Sequence, residues 1–364
     1  MMSSSDSSNK VLAQATRKPV IHIGMPKTAT KTLQWRLFSR HSEIFYLGRF
    51  DGPQFQKQHK PLACCRDEAT MQLMNQIAYN DVFQPDFQRC SELLNGLLAE
   101  AREANKVPVW SWESYSTDIL AKRRIRARNL KRVFGEATII MVLRHPLVLL
   151  ESAYFQQLKR DNVSPSLKFG RPPFYLPMDQ WLEQNFHGEI LPHLQFGETV
   201  QAYVEQFGLE NVHVLLFEDL VKDEDAFFRR VCHVMQIDAD EGATLIQGER
   251  DNERWTTRQV DILKRVVSSP LMALKFRLLN HSQRMRLLEL QSDGTPAVRS
   301  EKAIAPISQN WKKEIFNAVA PGAKWLIDNF QLPLDKYGYL GTEHQDVGNL
   351  DVSDKDVSDK KGQQ

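Results

Sequence analysis

The sequence predicts an α/β protein of three layers (helix, sheet, helix) built on a central parallel sheet. Two observations predict it. Short apolar runs rich in β-branched and aromatic residues recur along the chain, each bounded by turn or charged residues. Stretches of helical periodicity separate those runs. Strands that alternate with helices pair in parallel and are covered on both faces. Ligands of such sheets bind at the carboxyl ends of the strands, so the strand ends are where chemistry is sought.

Val20–Ile23 is the first run and leads into Gly24 and Pro26. The others are Val107–Trp112, Thr138–Leu143 and Asn211–Phe217. Between them, Cys90, Leu94, Leu97, Leu98 and Ala101 make one helical stripe, and Phe196, Val200, Tyr203, Val204 and Phe207 make another. Residues 1–18 are Ser-rich and polar, and Asp351–Lys355 is repeated at once as Asp356–Lys360. Neither end has an apolar face to bury, so 1–18 and 341–364 are expected to be disordered and 19–340 to form one domain.

Of the 364 residues 42% are hydrophobic, enough for a sizeable core. The net charge of +2 is no polycation, so anion binding must come from local clusters. The four cysteines, Cys64, Cys65, Cys90 and Cys232, contain no CxxC pair, which argues against a zinc site of common spacing. No run approaches the length of a membrane helix, and no apolar signal opens the chain. A cytoplasmic protein in a reducing compartment is expected.

The segment from Ile21 to Leu33 carries the most information. A strand ends at Gly24; Lys27, Thr28, Ala29, Thr30, Lys31 and Thr32 follow; then a helix runs through Leu33, Leu37 and Phe38. Backbone N–H groups at such a helix start favour an anion, and Lys27 with the Thr hydroxyls adds donors. An ATP-binding P-loop needs Gly, four residues, then Gly-Lys-Ser/Thr, and neither register of this segment supplies it. A capped helix without a ligand is the plainer alternative.

A second strand end reads Leu143-Arg144-His145-Pro146, and Ser152 lies two helical turns beyond Arg144. Pro146 suits the first position of a helix. An Arg here can fork onto a phosphate or simply form a surface ion pair.

In this order and at strand ends, the two segments resemble the PAPS-dependent sulfotransferases, where PAPS is 3′-phosphoadenosine 5′-phosphosulfate. Their 5′-phosphosulfate loop runs Pro-Lys-Thr/Ser-Gly-Thr-Thr before a helix. Here Ala29 replaces the Gly and Lys31 the second Thr. Their 3′-phosphate site is Arg-x-Pro with Ser eight positions after the Arg, matched by Arg144, Pro146 and Ser152. The resemblance runs from Pro19 to Leu340 in order, and only these two motifs are specific. It implies the fold of that family, a three-layer α/β/α sheet like that of P-loop nucleotide kinases. It implies PAPS as donor, no metal, and a small-molecule or glycan acceptor with a hydroxyl or amine. No nucleic acid or integral membrane segment is expected.

The resemblance also assigns roles. Lys27 meets the charge on the leaving oxygen, while Thr30 and the loop amides hold the 5′-phosphate. Arg144 and Ser152 hold the 3′-phosphate. Asn310-Trp311-Lys312 resembles the segment after the family's second 3′-phosphate loop, but the usual Arg-Lys-Gly is missing. Arg299 and Lys302 are the nearby candidates, with a solvated loop as the alternative. Glu113, ending the Val107–Trp112 strand, is chosen as general base, and a helix cap is its alternative. His41, His59 and His145 are further base candidates, His145 with its ring toward solvent. Phe217-Glu218-Asp219-Leu220 resembles a recurring strand end and is read as a cap for the next helix.

The cation run Lys122–Arg132 covers most of a helix circumference and is read as a solvated face, with an acidic glycan as its functional alternative. Gln54–Leu62 and Asn162–Pro177 are loops suited to cover an acceptor. Two rival readings stay open. A kinase with a degenerate phosphate loop would use Glu218 or Asp219 to hold Mg²⁺. A non-catalytic member would bind nucleotide or a sulfated ligand.

Overall fold

β-Branched and aromatic runs become strands here because both faces of the sheet are covered. The computed structural model describes residues 17–48, 70, 72–73, 76–77, 85–164, 170–246, 255–290 and 301–341. The strands are β1 (Val20–His22), β2 (Ile44–Tyr46), β3 (Val107–Ser111), β4 (Thr138–Leu143) and β5 (Val212–Leu216). All pair in parallel, in the order β2-β3-β1-β4-β5. The predicted α/β architecture is therefore present. Four strands lie within a residue of their expected bounds. β2, three residues long at the sheet edge, was not predicted.

Along β4, Ile139, Met141 and Leu143 enter one core while Ile140 and Val142 enter the other. That period of two is the strand pleat, and it makes a central strand apolar on both sides.

The helices follow in chain order. α1 (Thr30–Thr32) widens into π-helical turns over Leu33–Phe38. α2 is Phe87–Glu103, α3 Leu120–Phe134, α4 Pro146–Val163, α5 Met178–Asn185 and α6 Phe196–Phe207. α7 (Phe217–Lys222), α8 (Glu224–Met235) and α9 (Ala239–Ile246) come after β5. α10 (Thr257–Ser268), α11 (Pro270–Leu278), α12 (His281–Leu287) and α13 (Gln309–Phe330) follow them. The smaller core packs Leu33, Leu37 and Phe38 with α8 against one sheet face; α2, α4 and α6 cover the other.

α6 and α13 touch backbone to backbone at Gly197 and Gly322, where a Cβ on Gly197 would lie 2.3 Å from the Gly322 Cα. That crossing anchors the C-terminal turns, which bring Tyr337 and Tyr339 to the end of β5. Among the described residues no helix is long and apolar enough to cross a membrane. Nearly all of the two expected terminal segments, Arg299, His59 and the Gln54–Leu62 loop lie outside the described residues.

Candidate functional site

β1 is the middle strand, with β3 on one side and β4 on the other. β2 and β3 are laid on one side of β1, β4 and β5 on the other, and this switch opens a crevice at its carboxyl end. Lys27, Glu113 and Arg144 leave from the carboxyl ends of β1, β3 and β4 respectively. Hydrogen bonds extend both pairings beyond the strands: Ile23 N–H donates to Ile140 O at 3.0 Å and Trp112 N–H to His22 O at 3.0 Å.

The loop after β1 is tightly wound. A Cβ on Gly24 would sit 2.5 Å from Thr30 Oγ1 and 2.7 Å from His22 Cε1, so only glycine fits there. Lys27 and Ala29 both take the left-handed region, with φ of 67° and 62°. An alanine there costs about 1 kcal/mol over glycine, yet the chain adopts the turn. Cross-links hold it. Thr28 Oγ1 donates to Met25 O at 2.6 Å, Ser116 Oγ to Gly24 O at 2.6 Å, and Arg144 Nη1 to Lys27 O at 2.9 Å. Thr28 is therefore buried with its hydroxyl turned into the loop. Leu33 N–H closes the first helical bond onto Ala29 O at 3.0 Å.

Cations converge on this loop from separate elements. Lys27 is pushed down to about 8, first by burial and then by the charges of Arg144, Lys31 and Lys159, with Glu113 opposing. Lys31 is exposed and stands over the Trp35 ring. Lys159 lies on α4 seven residues after Ser152, hence on the same face of that helix. Sequence reasoning missed Lys159, although that spacing was visible. Like charges held together in a half-buried crevice favour a multivalent anion as their partner.

Glu113 sits on a short 3₁₀ turn after β3, where it accepts a hydrogen bond from the Thr30 side chain. Burial raises its carboxyl, while that hydrogen bond and the charges of Lys31 and Lys27 pull the other way. A carboxylate thus faces the cation cluster across the loop.

The Arg144 guanidinium stacks over the Phe217 ring, 4.3 Å from its centroid. Behind it, Glu218 does more than cap a helix. Its Oε1 accepts the His145 N–H at 2.7 Å and its Oε2 accepts the Tyr339 hydroxyl at 2.9 Å. Tyr337 donates to Asp219 at 2.6 Å. Both carboxylates offered as magnesium ligands are thus engaged in bracing the turn after β4 and the C-terminal segment. The His145 ring does not face solvent: it is 0% exposed, packs edge-on against Tyr339 and Phe316, and is pushed down to about 4 by burial. His41 is also buried, bonded to Asp238 O at 2.8 Å.

Ser152 is half-buried two turns into α4. Its neighbour Glu151 accepts the Ala305 N–H at 2.9 Å. That contact carries the segment containing Lys302 toward α4, while the Lys302 backbone itself bridges to Thr256.

A family model described as "Sulfotransferase family" matches residues 19–241. No curated protein matches. Among solved structures, a sulfotransferase from Alicyclobacillus acidocaldarius is similar at 15% identity and a TM-score of 0.48, over 88% of this chain and 98% of its own. A sulfotransferase domain from the curacin biosynthetic pathway is similar at 14% identity and a TM-score of 0.38, over 84% of this chain and 98% of its own.

Proposed function

The chain belongs to the sulfotransferase family, and from that premise we propose that it moves a sulfuryl group from PAPS to a hydroxyl or amine of a small-molecule or glycan acceptor. The observation that carries the proposal is the convergence of Lys27, Lys31, Arg144 and Lys159 on one wound loop, with Glu113 opposite. A cluster of this kind suits a nucleotide that carries several negative groups, one at the 5′ and one at the 3′ position.

The residues fit that donor. Gly24 lets His22 and Thr30 pack against the backbone, which keeps the loop tightly wound at the strand end. The amides of the loop and of the first helical turn hold the 5′-phosphate, with Thr30 and Lys31 beside them. Arg144, its ring-stacked guanidinium fixed by the Lys27 carbonyl, takes the 3′-phosphate with Ser152. Lys302 and Arg299 are proposed to complete that end.

Glu113 accepts the acceptor's proton as its oxygen bonds to sulfur. The bond from sulfur to the bridging oxygen breaks on the opposite side, and Lys27 donates to that oxygen. The two pKa directions serve these roles: burial makes Glu113 a stronger base and Lys27 a readier acid.

A titration tests the reading. The purified chain, without added metal, is mixed with 3′,5′-diphosphoadenosine, with ATP and ADP in parallel. Tight binding that requires the 3′-phosphate is expected. A preference for ATP, strengthened in a second titration with Mg²⁺ added, would overturn it in favour of a kinase.

A further inference from the structure

A surface remote from the phosphate loop in sequence carries an unexplained pattern. α10 is amphipathic and buries Val260, Leu263 and Val266. α11, which follows it, buries Phe276 alone. Leu271, Leu274 and Leu278 are 64%, 54% and 60% exposed. Their spacing puts them in one stripe along the helix. Met272 and, on α12, Leu287 extend the patch. Of the eight large hydrophobics exposed among the described residues, these five fall between positions 271 and 287. Scattered apolar residues need no explanation, whereas a stripe does.

Charge defines what the stripe fits. From Thr257 to Leu288 the sequence holds seven Lys and Arg against the single carboxylate of Asp261. Lys264, Arg265, Lys275, Arg277 and Arg286 are exposed around the leucines. Asp261 pairs with Lys264 at 3.2 Å. Among the described residues, Lys275, Arg277 and Arg286 have no carboxylate partner. Across a two-fold contact a second copy would set these cations against one another. A surface with negative headgroups above an apolar interior satisfies both features. The leucines enter the acyl boundary, and the Lys and Arg stems lie along it with their charges at the headgroups.

We propose that α10–α12 form a docking surface for bilayers containing anionic lipid, with the α11 leucines as the inserted residues. The hairpin is fixed to the body for this purpose. Arg277 Nε donates to Gly170 O at 3.0 Å, and Arg284 donates to Asn162 O at 3.3 Å and Arg171 O at 2.9 Å. These bonds tie it to the last turn of α4 and to the chain just after it. The proposal stands independently of the donor reading.

Vesicle flotation of the full chain tests it, with phosphatidylcholine alone and with phosphatidylserine added. Flotation is expected only with phosphatidylserine, weakening as salt is raised. The L271S/L274S/L278S variant should bind at least about tenfold more weakly. K275E/R286E keeps the stripe and should lose the response to phosphatidylserine. Circular dichroism of both variants should match the parent, because the changed side chains are exposed; if the triple variant does not fold, K275E/R286E decides alone. Equal flotation with both vesicles, flotation with neither, or full binding by a folded triple variant would overturn the proposal. So would a concentration-dependent dimer that the triple variant abolishes, which would make a second copy the occupant.

Discussion

Two parts of this chain concentrate positive charge, and only one has the form of a site. α3 holds seven Lys and Arg among its fifteen residues. Six of the seven have partners that are structural. Arg123 is buried and bonds Gln195 and Thr199; Arg126 bonds Thr117 O at 2.9 Å and Asp118 at 3.3 Å. Lys122, Arg124 and Lys131 pair with Asp118, Glu205 and Glu136, and Arg132 covers the Phe87 ring. The phosphate-loop cations form no run at all. They come from positions 27, 31, 144 and 159, and the strongest charges felt by Lys27 are the like ones of Arg144 and Lys31. Charge density along a sequence thus says less about a site than charge brought together by strand ends.

The comparison breaks most sharply at Lys27. Lys27→Ala should lower turnover by about a thousandfold, the scale of losing a donor aimed at developing charge. Its unfolding midpoint should stay level or rise, since a half-buried cation among cations is removed. Turnover near the parental rate would take Lys27 out of the chemistry.

Arg123 is the counterpart in α3. Arg123→Ala should cost about 3 kcal/mol of stability through a cavity and orphaned partners. Affinity for 3′,5′-diphosphoadenosine, measured where the variant is folded, should not move. A specific loss of nucleotide affinity would mean that α3 contributes to the site after all.

Arg144→Ala should weaken 3′,5′-diphosphoadenosine by about 2 kcal/mol, roughly thirtyfold, and 5′-AMP far less. Calorimetric titration of both ligands distinguishes the outcomes. Equal losses would remove the 3′-phosphate from Arg144.

These residues were legible in the sequence to different degrees. Lys27 and Arg144 stood out because Arg144 follows a buried strand at once and Lys27 lies in the short loop after another, and local order preserves both relations. The four strands other than β2 were legible from their apolar, β-branched runs. β2 was not: Ile44–Tyr46 has three residues and, unlike the equally short β1, no loop of Gly, Pro and hydroxylated residues follows to mark it. Glu218 was read as a helix cap because its true partners, His145 and Tyr339, lie 73 and 121 positions away. The expected solvent-facing ring of His145 failed similarly: only the tertiary approach of Phe316 and Tyr339 buries it. Contacts made between distant segments leave no period to read.

The pH dependence sharpens the contrast further. Lys27 is held down at about 8 in the free protein, and a bound anion raises it. Below about 8 the ammonium is already present and affinity should be flat with respect to Lys27. Above it, binding must take up a proton, so affinity should fall by roughly tenfold per unit until the bound-state value is reached. Titrations from pH 7 upward check the sign. Lys27→Ala should abolish that slope, and a slope that survives would assign it to another group.

Arg124 supplies the smallest effect. Its pair with Glu205 spans 3.7 Å, and both side chains are about half exposed. An ion pair in that setting gains little over two solvated charges, so Arg124→Ala should change stability by no more than about 0.5 kcal/mol. Nucleotide affinity should be unchanged at any salt concentration, because solvent and the neighbouring pairs already screen this face from the loop. A salt-dependent loss of affinity in this variant would show that the helix acts on the anion through its field, and the division between the two cationic regions would then be one of degree.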